Sequence, residues 1–247
     1  RTLGTRYDNG ILAYGRGRSY GDAPLNGGGN VLLTERLNRM VSFDPSDGTL
    51  VCEAGVTFDD LLGAFLARGF LPPTSPGTAF ATVGGAVAND IHGKNHDRAG
   101  SFGDHVLWLD LILPSGELVR VSPEERPDLF TATIGGIGLT GVILNVCFRL
   151  RKVASSSVVV REKRMPDLDA FMAGLAEARE KAGYSVGWID GMARGGDLGR
   201  GILETAETAD AGAGAVPDGS RKARAVPVDL PGFVLNPLSI NLFNRAY

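Results

Sequence analysis

Between Pro76 and Val106 the chain gathers six glycines, three aspartates, one lysine and all three of its histidines. Imidazole, ammonium and carboxylate groups at that density can move protons, hold an anion or ligate a metal. Glycine is the residue least favourable to order, so a stretch this rich in it implies close approach to the main chain. His92 and His96 are four apart, and Asp90 and Asp97 flank them, which are donor types found in zinc and iron sites. Gly93 interrupts the segment and no further ligand cluster follows, so no metal is expected. His96 and His105 read as side chains that pin a loop by hydrogen bonds. His92 and Lys94 flank a glycine just after the "TVGG" turn and read as the functional pair.

A second polar, glycine-rich stretch, "AYGRGRSYGDAPLNGGG", lies upstream. It offers Gly15, Gly17 and Gly21 with Arg16, Arg18, Ser19 and Asp22. Successive backbone N–H groups in such a turn form a concave anion site. Hydrogen bonds to a charged acceptor contribute about 1.5–3 kcal/mol each. Together with the turn at residues 77–85, this one could clamp a diphosphate from two sides. "GIGLTG", Gly136 to Gly141, matches the letters of the dinucleotide fingerprint but not its context. That motif needs a strand before it and a helix after it, and here the order is reversed. It reads as a tight backbone turn beside a ligand. Gly93-Lys94 is followed by Asn95, which excludes a P-loop, and no G-x-S-x-G elbow occurs.

The elements that must position these groups follow from periodicity. "GILAYGRG" reads as a strand entering a glycine turn. Strands are expected at Val31–Leu33, Met40–Phe43 and Thr49–Glu53, with Asp47-Gly48 as a hairpin turn. Thr57 caps a helix whose stripe is Phe58, Leu61, Leu62, Phe65 and Leu66, and Gly69 stops it. "HVLWLDLILPSGELVRVS" is a hairpin, "EERPDLFTATIGG" a helix and "GVILNVCFRLRKV" a strand. Mixed helices and strands with much antiparallel pairing give the α+β class. A break near Val153–Ser157 separates residues 1–152 from residues 153–247. The second part reads as strand "SSSVVVREKR", a helix with Leu168, Phe171, Met172 and Leu175 on one face, and strand "YSVGWIDGM". Glu204 to Arg224 reads as a mobile loop, because it is rich in Ala, Gly, Asp and Pro and has no periodicity.

The 247 residues carry 25 basic and 28 acidic side chains, a net charge of −3, so no basic stripe points to nucleic acid. No apolar run is long enough to span a membrane. Cys52 and Cys147 sit in strand-like apolar runs and read as core residues. Arg1 opens the chain without a Met, "RTLGTRYDNG" reads like the tail of an earlier helix, and the end lacks a natural finish, as in a fragment.

"GRGRSYGD", "PGTAFATVGGAVANDIHGKNH", "AGSFGDHV" and "GIGLTG" resemble, in order and spacing, the PCMH-type FAD-binding domain of the vanillyl-alcohol oxidase superfamily. The similarity is greatest to its decaprenylphosphoryl-β-D-ribose 2-oxidase-like group. It is strong over residues 11–152 and continues faintly through "YSVGWIDGMARGGDLGRG" and "FVLNPLSINLFNRAY". The resemblance implies a PCMH-type FAD domain of two α+β subdomains, its N-terminal end truncated, followed by part of an α+β substrate domain. It implies that Ala13, Tyr14, Gly15, Arg16, Gly17, Arg18, Ser19, Tyr20, Gly21, Asp22 and Ala23 wrap the diphosphate and its neighbours. Gly77, Thr82, Val83, Gly84 and Gly85 would line the opposite wall. Asn89, Asp90, Ile91 and His92 would run beside the flavin, and Ile143 would add backbone near a ring. The catalytic set would be His92, Lys94 and Tyr20, with Lys94 placing positive charge where negative charge develops.

The resemblance further implies oxidation of a secondary alcohol of a sugar or sugar-lipid, as for a cell-wall arabinan precursor. Oxygen or a quinone would accept the electrons and a partner reductase would follow, at a cytoplasmic or membrane-peripheral location. Sister aldonolactone and alditol oxidases, the alternative reading, carry a flavin-linking His where this chain has Arg18, so non-covalent FAD is expected. A non-catalytic nucleotide- or sugar-binding protein is the third reading. Val186 stands where the group's oxidase has Ser, a departure in the substrate region.

Overall fold

The computed structural model describes residues 10–210, 231–232 and 236–246. The chain divides into two compact units, Arg1–Ala154 and Ser155–Tyr247.

In the first unit, β1 (Ile11–Tyr14) and β2 (Asn30–Leu33) pair in parallel. The strands β3 (Met40–Asp44), β4 (Thr49–Glu53), β6 (Val106–Ile112), β7 (Leu118–Val121) and β8 (Val142–Arg149) form one antiparallel sheet in the order β3-β4-β8-β6-β7. Between β4 and β6 lie α1 (Phe58–Phe65), the short β5 (Phe70–Leu71), α2 (Val83–Ala88) and α3 (His96–Ala99). Helix α4 (Pro127–Thr133) precedes β8, and β9 (Arg151–Lys152) pairs with β5.

Alternation along the strands sends Leu50, Cys52, Leu109, Leu111, Val119, Val121, Val146 and Phe148 to one face. There they pack with Phe58, Leu61 and Phe65 of α1 and with Val83, Ala86 and Val87 of α2. Burying each large apolar side chain is worth about 1.5–3 kcal/mol, which fixes α1 and α2 against the sheet. Thr57 and Asp60 form a reciprocal capping box at the start of α1, and Gly69 ends the helical stretch at φ 79°. Gly48, at φ 80°, turns the β3–β4 hairpin. Cys52 and Cys147 are buried free thiols, and desolvation raises the Cys147 thiol to about 11.

In the second unit β10 (Val158–Met165), β12 (Gly201–Thr208) and β11 (Tyr184–Ile189) form an antiparallel sheet in that order, with α5 (Leu168–Lys181) against it. Met165, Phe171 and Leu203 are its buried cluster. Gly187 makes room for the Phe171 ring, because a Cβ there would lie 2.6 Å from Cζ. The Asp190 carboxylate is buried after β11, where it accepts both Nε and Nη2 of Arg200 at 3.0 and 2.8 Å. It also accepts from Asn244 of α6 (Pro237–Ala246).

Three expectations need correction. "TVGG" is not a turn but the start of α2, whose Thr82 side chain caps Gly85 N–H. Residues 204–208 belong to β12, because pairing on both sides supplies the ladder that their composition does not announce. Of the expected stripe on α5, Phe171 is buried, but Leu168 and Met172 are exposed, and the small Gly174 and Ala178 complete the packed face. Residues 1–9 of the stretch read as a helix tail and residues 211–224 of the expected loop lie outside the described residues. Among the described residues no helix is long and apolar enough to cross a membrane, and no group of three or more His, Cys, Asp or Glu could hold a metal.

Candidate functional site

A cleft of about 850 Å³ in the first unit is lined by both glycine-rich stretches. The first contributes Leu12 through Tyr20 with Ala23 and Pro24. The second contributes Pro76, Gly77, Thr78, Ala81, Thr82, Gly84, Gly85, Ala88, Asn89, Ile91 and His92. Thr34, Ala54, Ile137, Gly138, Gly141 and Ile143 complete the wall. The two stretches touch where Gly15 meets Thr82, since a Cβ on Gly15 would stand 2.5 Å from Thr82 Oγ1.

The two walls differ in what they offer a ligand. None of the N–H groups from Gly15 through Ala23 donates to another group among the described residues. Arg16 and Arg18 sit on the same loop, and no carboxylate lines the cleft. Arg18 reaches the opposite rim, its guanidinium 5.4 Å from the Phe80 ring centroid. Arg16 Nε lies 3.6 Å from Glu35 Oε1, and the run of open backbone donors together with the Arg18 guanidinium suits a diphosphate. On the α2 wall the donors are taken. Val83 N–H goes to Val56 O and Gly84 N–H to Ala54 O, each at 2.8 Å, and Gly85 N–H to Thr82 Oγ1 at 3.2 Å. Within the expected 77–85 stretch these three donors are taken, whereas the Gly77, Thr78, Ala81 and Thr82 N–H groups donate to no other group among the described residues. Gly84 is needed there for close approach, because its Cβ would lie 2.7 Å from Ala54 Cβ. Gly77 has no atom within 4 Å of a Cβ position and faces the cleft.

Most residues expected at the cofactor are on this lining. Gly21, Asp22, Val83 and Asp90 are not. Asp22 accepts the Leu25 N–H with its carbonyl, Val83 is fully buried in the core, and the Asp90 carboxylate accepts the Gly103 N–H at 2.8 Å. Lys94 is exposed, as is His92, but unlike His92 it is not on the cleft lining. The loop beyond Gly93 turns away, held by buried Asn95, which donates to Pro73 O at 2.8 Å and accepts from Thr74 at 3.1 Å. Tyr20 lines the cleft with its side chain in solvent.

The histidines separate by what their ring nitrogens do. His96 Nδ1 lies 3.1 Å from Gly93 O, and His105 Nε2 lies 2.7 Å from Ala99 O. Neither ring nitrogen of His92 is bonded to a protein group among the described residues, and His92 alone of the three lines the cleft. Sequence reasoning missed Leu12, Pro24, Thr34, Ala54, Pro76, Thr78, Ala81 and Ala88. Leu12 within β1, and Thr34 and Ala54 just after β2 and β4, carry no local signal, whereas Gly138 and Gly141 fall in the turn already read as lying beside a ligand.

Next to Ala54, the Glu53 carboxylate is buried and accepts the Arg39 guanidinium at 2.7 and 3.0 Å and the Arg39 N–H at 2.8 Å. The Arg39 side chain holds the Glu53 carboxyl below the usual range, against its burial. The stabilisation from this depressed pKa is complete above the unfolded value of about 4.3 and is lost as pH falls through the folded one. Urea melts between about pH 6 and pH 3 are expected to show parent losing stability faster than Glu53→Gln, and equal slopes would dismiss this linkage.

The fold and cleft define a cofactor-binding domain. Residues 3–122 match the family described as an FAD binding domain. The chain is 40% identical over 196 residues to decaprenylphosphoryl-beta-D-ribose oxidase of Mycolicibacterium smegmatis, covering 78% of this chain and 43% of that protein. It is 27% identical to a D-lactate dehydrogenase of Anaerostipes hadrus, over 60% of this chain and 32% of the relative. To a putative D-arabinono-1,4-lactone oxidase of Neurospora crassa it is 30% identical, over 47% of this chain and 20% of the relative. The chain thus spans less than half the length of these curated relatives. The residues present fit FAD: open donors and arginines for its diphosphate, and apolar walls at Ile137, Ile143 and Ile91 for its rings.

Proposed function

We propose that the chain is part of an FAD-dependent oxidoreductase that oxidises a secondary alcohol of a sugar or sugar-lipid. Its kinship with a sugar-lipid oxidase supports this reading, but the observation that carries it is His92. An imidazole with both nitrogens open stands on the lining of a cleft whose other wall suits a diphosphate. FAD, when bound, supplies the hydride acceptor. His92 takes the hydroxyl proton on an open ring nitrogen, and general-base assistance of this kind is worth ~10²–10⁴-fold. Tyr20, also on the lining, is assigned to orient the hydroxyl through its phenol. Arg16, Arg18 and the open N–H groups anchor the cofactor's charge and leave the α2 wall to shape the ring pocket. The second unit serves as part of the substrate domain, oxygen or a quinone takes the electrons, and a reductase acts on the product.

A visible spectrum tests this directly. Purified protein loaded with FAD should bleach without air on adding a suitable polyol or sugar-lipid. Flavin that stays oxidised with every alcohol tried counts against an oxidoreductase. The likeness to a lactone oxidase favours a second reading, oxidation of an aldonolactone or alditol, which the same substrate panel separates. Arg18 cannot form the histidine link of that sister group, so binding is non-covalent. Acid precipitation should leave all the FAD in the supernatant, and yellow colour retained in the pellet would refute this.

A further inference from the structure

We propose that Asp90 is a positioning residue that sets the imidazole of His92 into the cleft. The proposal rests on the reading of His92 as proton acceptor and adds how the chain holds it there. Asp90 follows Asn89, the C-cap of α2, and adopts φ 42°, one of three non-glycine residues with positive φ among those described. Side chains rarely occupy this region, and aspartate and asparagine are the types that tolerate it. Such outliers persist only where surrounding contacts over-determine them.

The contacts are on both sides. Behind Asp90, its N–H donates to Val87 O and the Ile91 N–H to Ala86 O, each at 3.1 Å, which caps the helix end. Ahead of it, the Asp90 carboxylate accepts the Gly103 N–H at 2.8 Å and Ile91 O accepts the Phe102 N–H at 2.8 Å. His92 then forms an antiparallel bridge with Ser101. The segment 90–92 is thereby tied rung by rung to 101–103. Gly103 has room for this only because it lacks a Cβ, which would lie 2.8 Å from Asp90 Oδ1 and against Ile134. The left-handed turn puts Asp90 off the lining and Ile91 and His92 on it.

The backbone and the carboxylate can be tested separately. Asparagine keeps the tolerance for φ 42° and an acceptor oxygen, whereas glycine keeps the tolerance and loses the acceptor. In the 247-residue chain without FAD, the His92 ring resonances, assigned by single histidine replacements, are expected to stay at parental positions in Asp90→Asn and to move in Asp90→Gly. With FAD loaded, Asp90→Gly should slow flavin reduction about tenfold, as for residues coupled in one network. In a His92→Ala background the same change should slow it by less than about twofold. Parental His92 resonances in Asp90→Gly overturn the proposal, and so does a loss that persists without His92. So does an Asn variant that behaves like the Gly one. If parent protein shows no flavin reduction, the functional reading fails, and the cofactor-free resonances still decide the role of Asp90.

Discussion

Flavin reduction by a polyol substrate is expected to fall at least ~100-fold when His92 is replaced by alanine, the range of a lost general base. The expectation follows from contrast among the three histidines. His96 and His105 each use a ring nitrogen on a nearby carbonyl, while His92 keeps both open on the cleft. Stopped-flow reduction at saturating FAD isolates this step from cofactor loss. Lys94→Met is the control, because Lys94 is off the lining that His92 is on. It should change the rate far less than His92→Ala. A Lys94 variant that is the slower of the two would return the charge-stabilising role to lysine and remove the assignment made to His92.

Gly84→Val should cost about 1–3 kcal/mol of stability through overpacking, and FAD affinity should fall with it. The first turn of α2 is joined to the exit of β4 by the Gly84 N–H to Ala54 O bond at 2.8 Å. A Cβ on Gly84 would stand 2.7 Å from Ala54 Cβ and 3.1 Å from Ala54 O, and backbone does not yield as a flexible side chain does. Both residues line the cleft, so relieving the clash moves the wall itself. Each 1 kcal/mol lowers the midpoint of a chain this size by about 2–4 °C. Thermal melts with and without FAD measure both effects, and a parental melting point with parental FAD titration would show that the junction is not tight. The Gly15–Thr82 contact makes the same demand from the other loop.

These predictions depend unequally on what could be read before the coordinates. Strands with β-branched alternation, the capped helix α1 and the glycine-turned hairpins announce themselves locally, because their signals lie within a few residues. The helix α2 does not. "VGGAVA" holds two glycines and two valines, and six residues are too few for a helix that propensity alone would stabilise. It forms because Val83, Ala86 and Val87 are fully buried and its first N–H groups find Ala54 O, Val56 O and the Thr82 side chain. The same burial removes these donors from any phosphate, which is why a glycine pair that reads as an anion cradle turns out to be a packing surface.

Residue types alone pointed to two glycine-rich loops, a histidine-bearing strip and a pair of arginines as candidates to serve one anionic, close-fitting ligand. They also established the α+β character of the chain and the core placement of both cysteines. Tertiary structure decided which backbone donors stay open, which histidine keeps both ring nitrogens unbonded, and that Asp90 and Lys94 are off the lining on which Ile91 and His92 remain. Those outcomes turn on hydrogen-bond partners contributed by distant strands and turns. Local sequence records that a donor exists, and only the packed chain determines whether it is already taken.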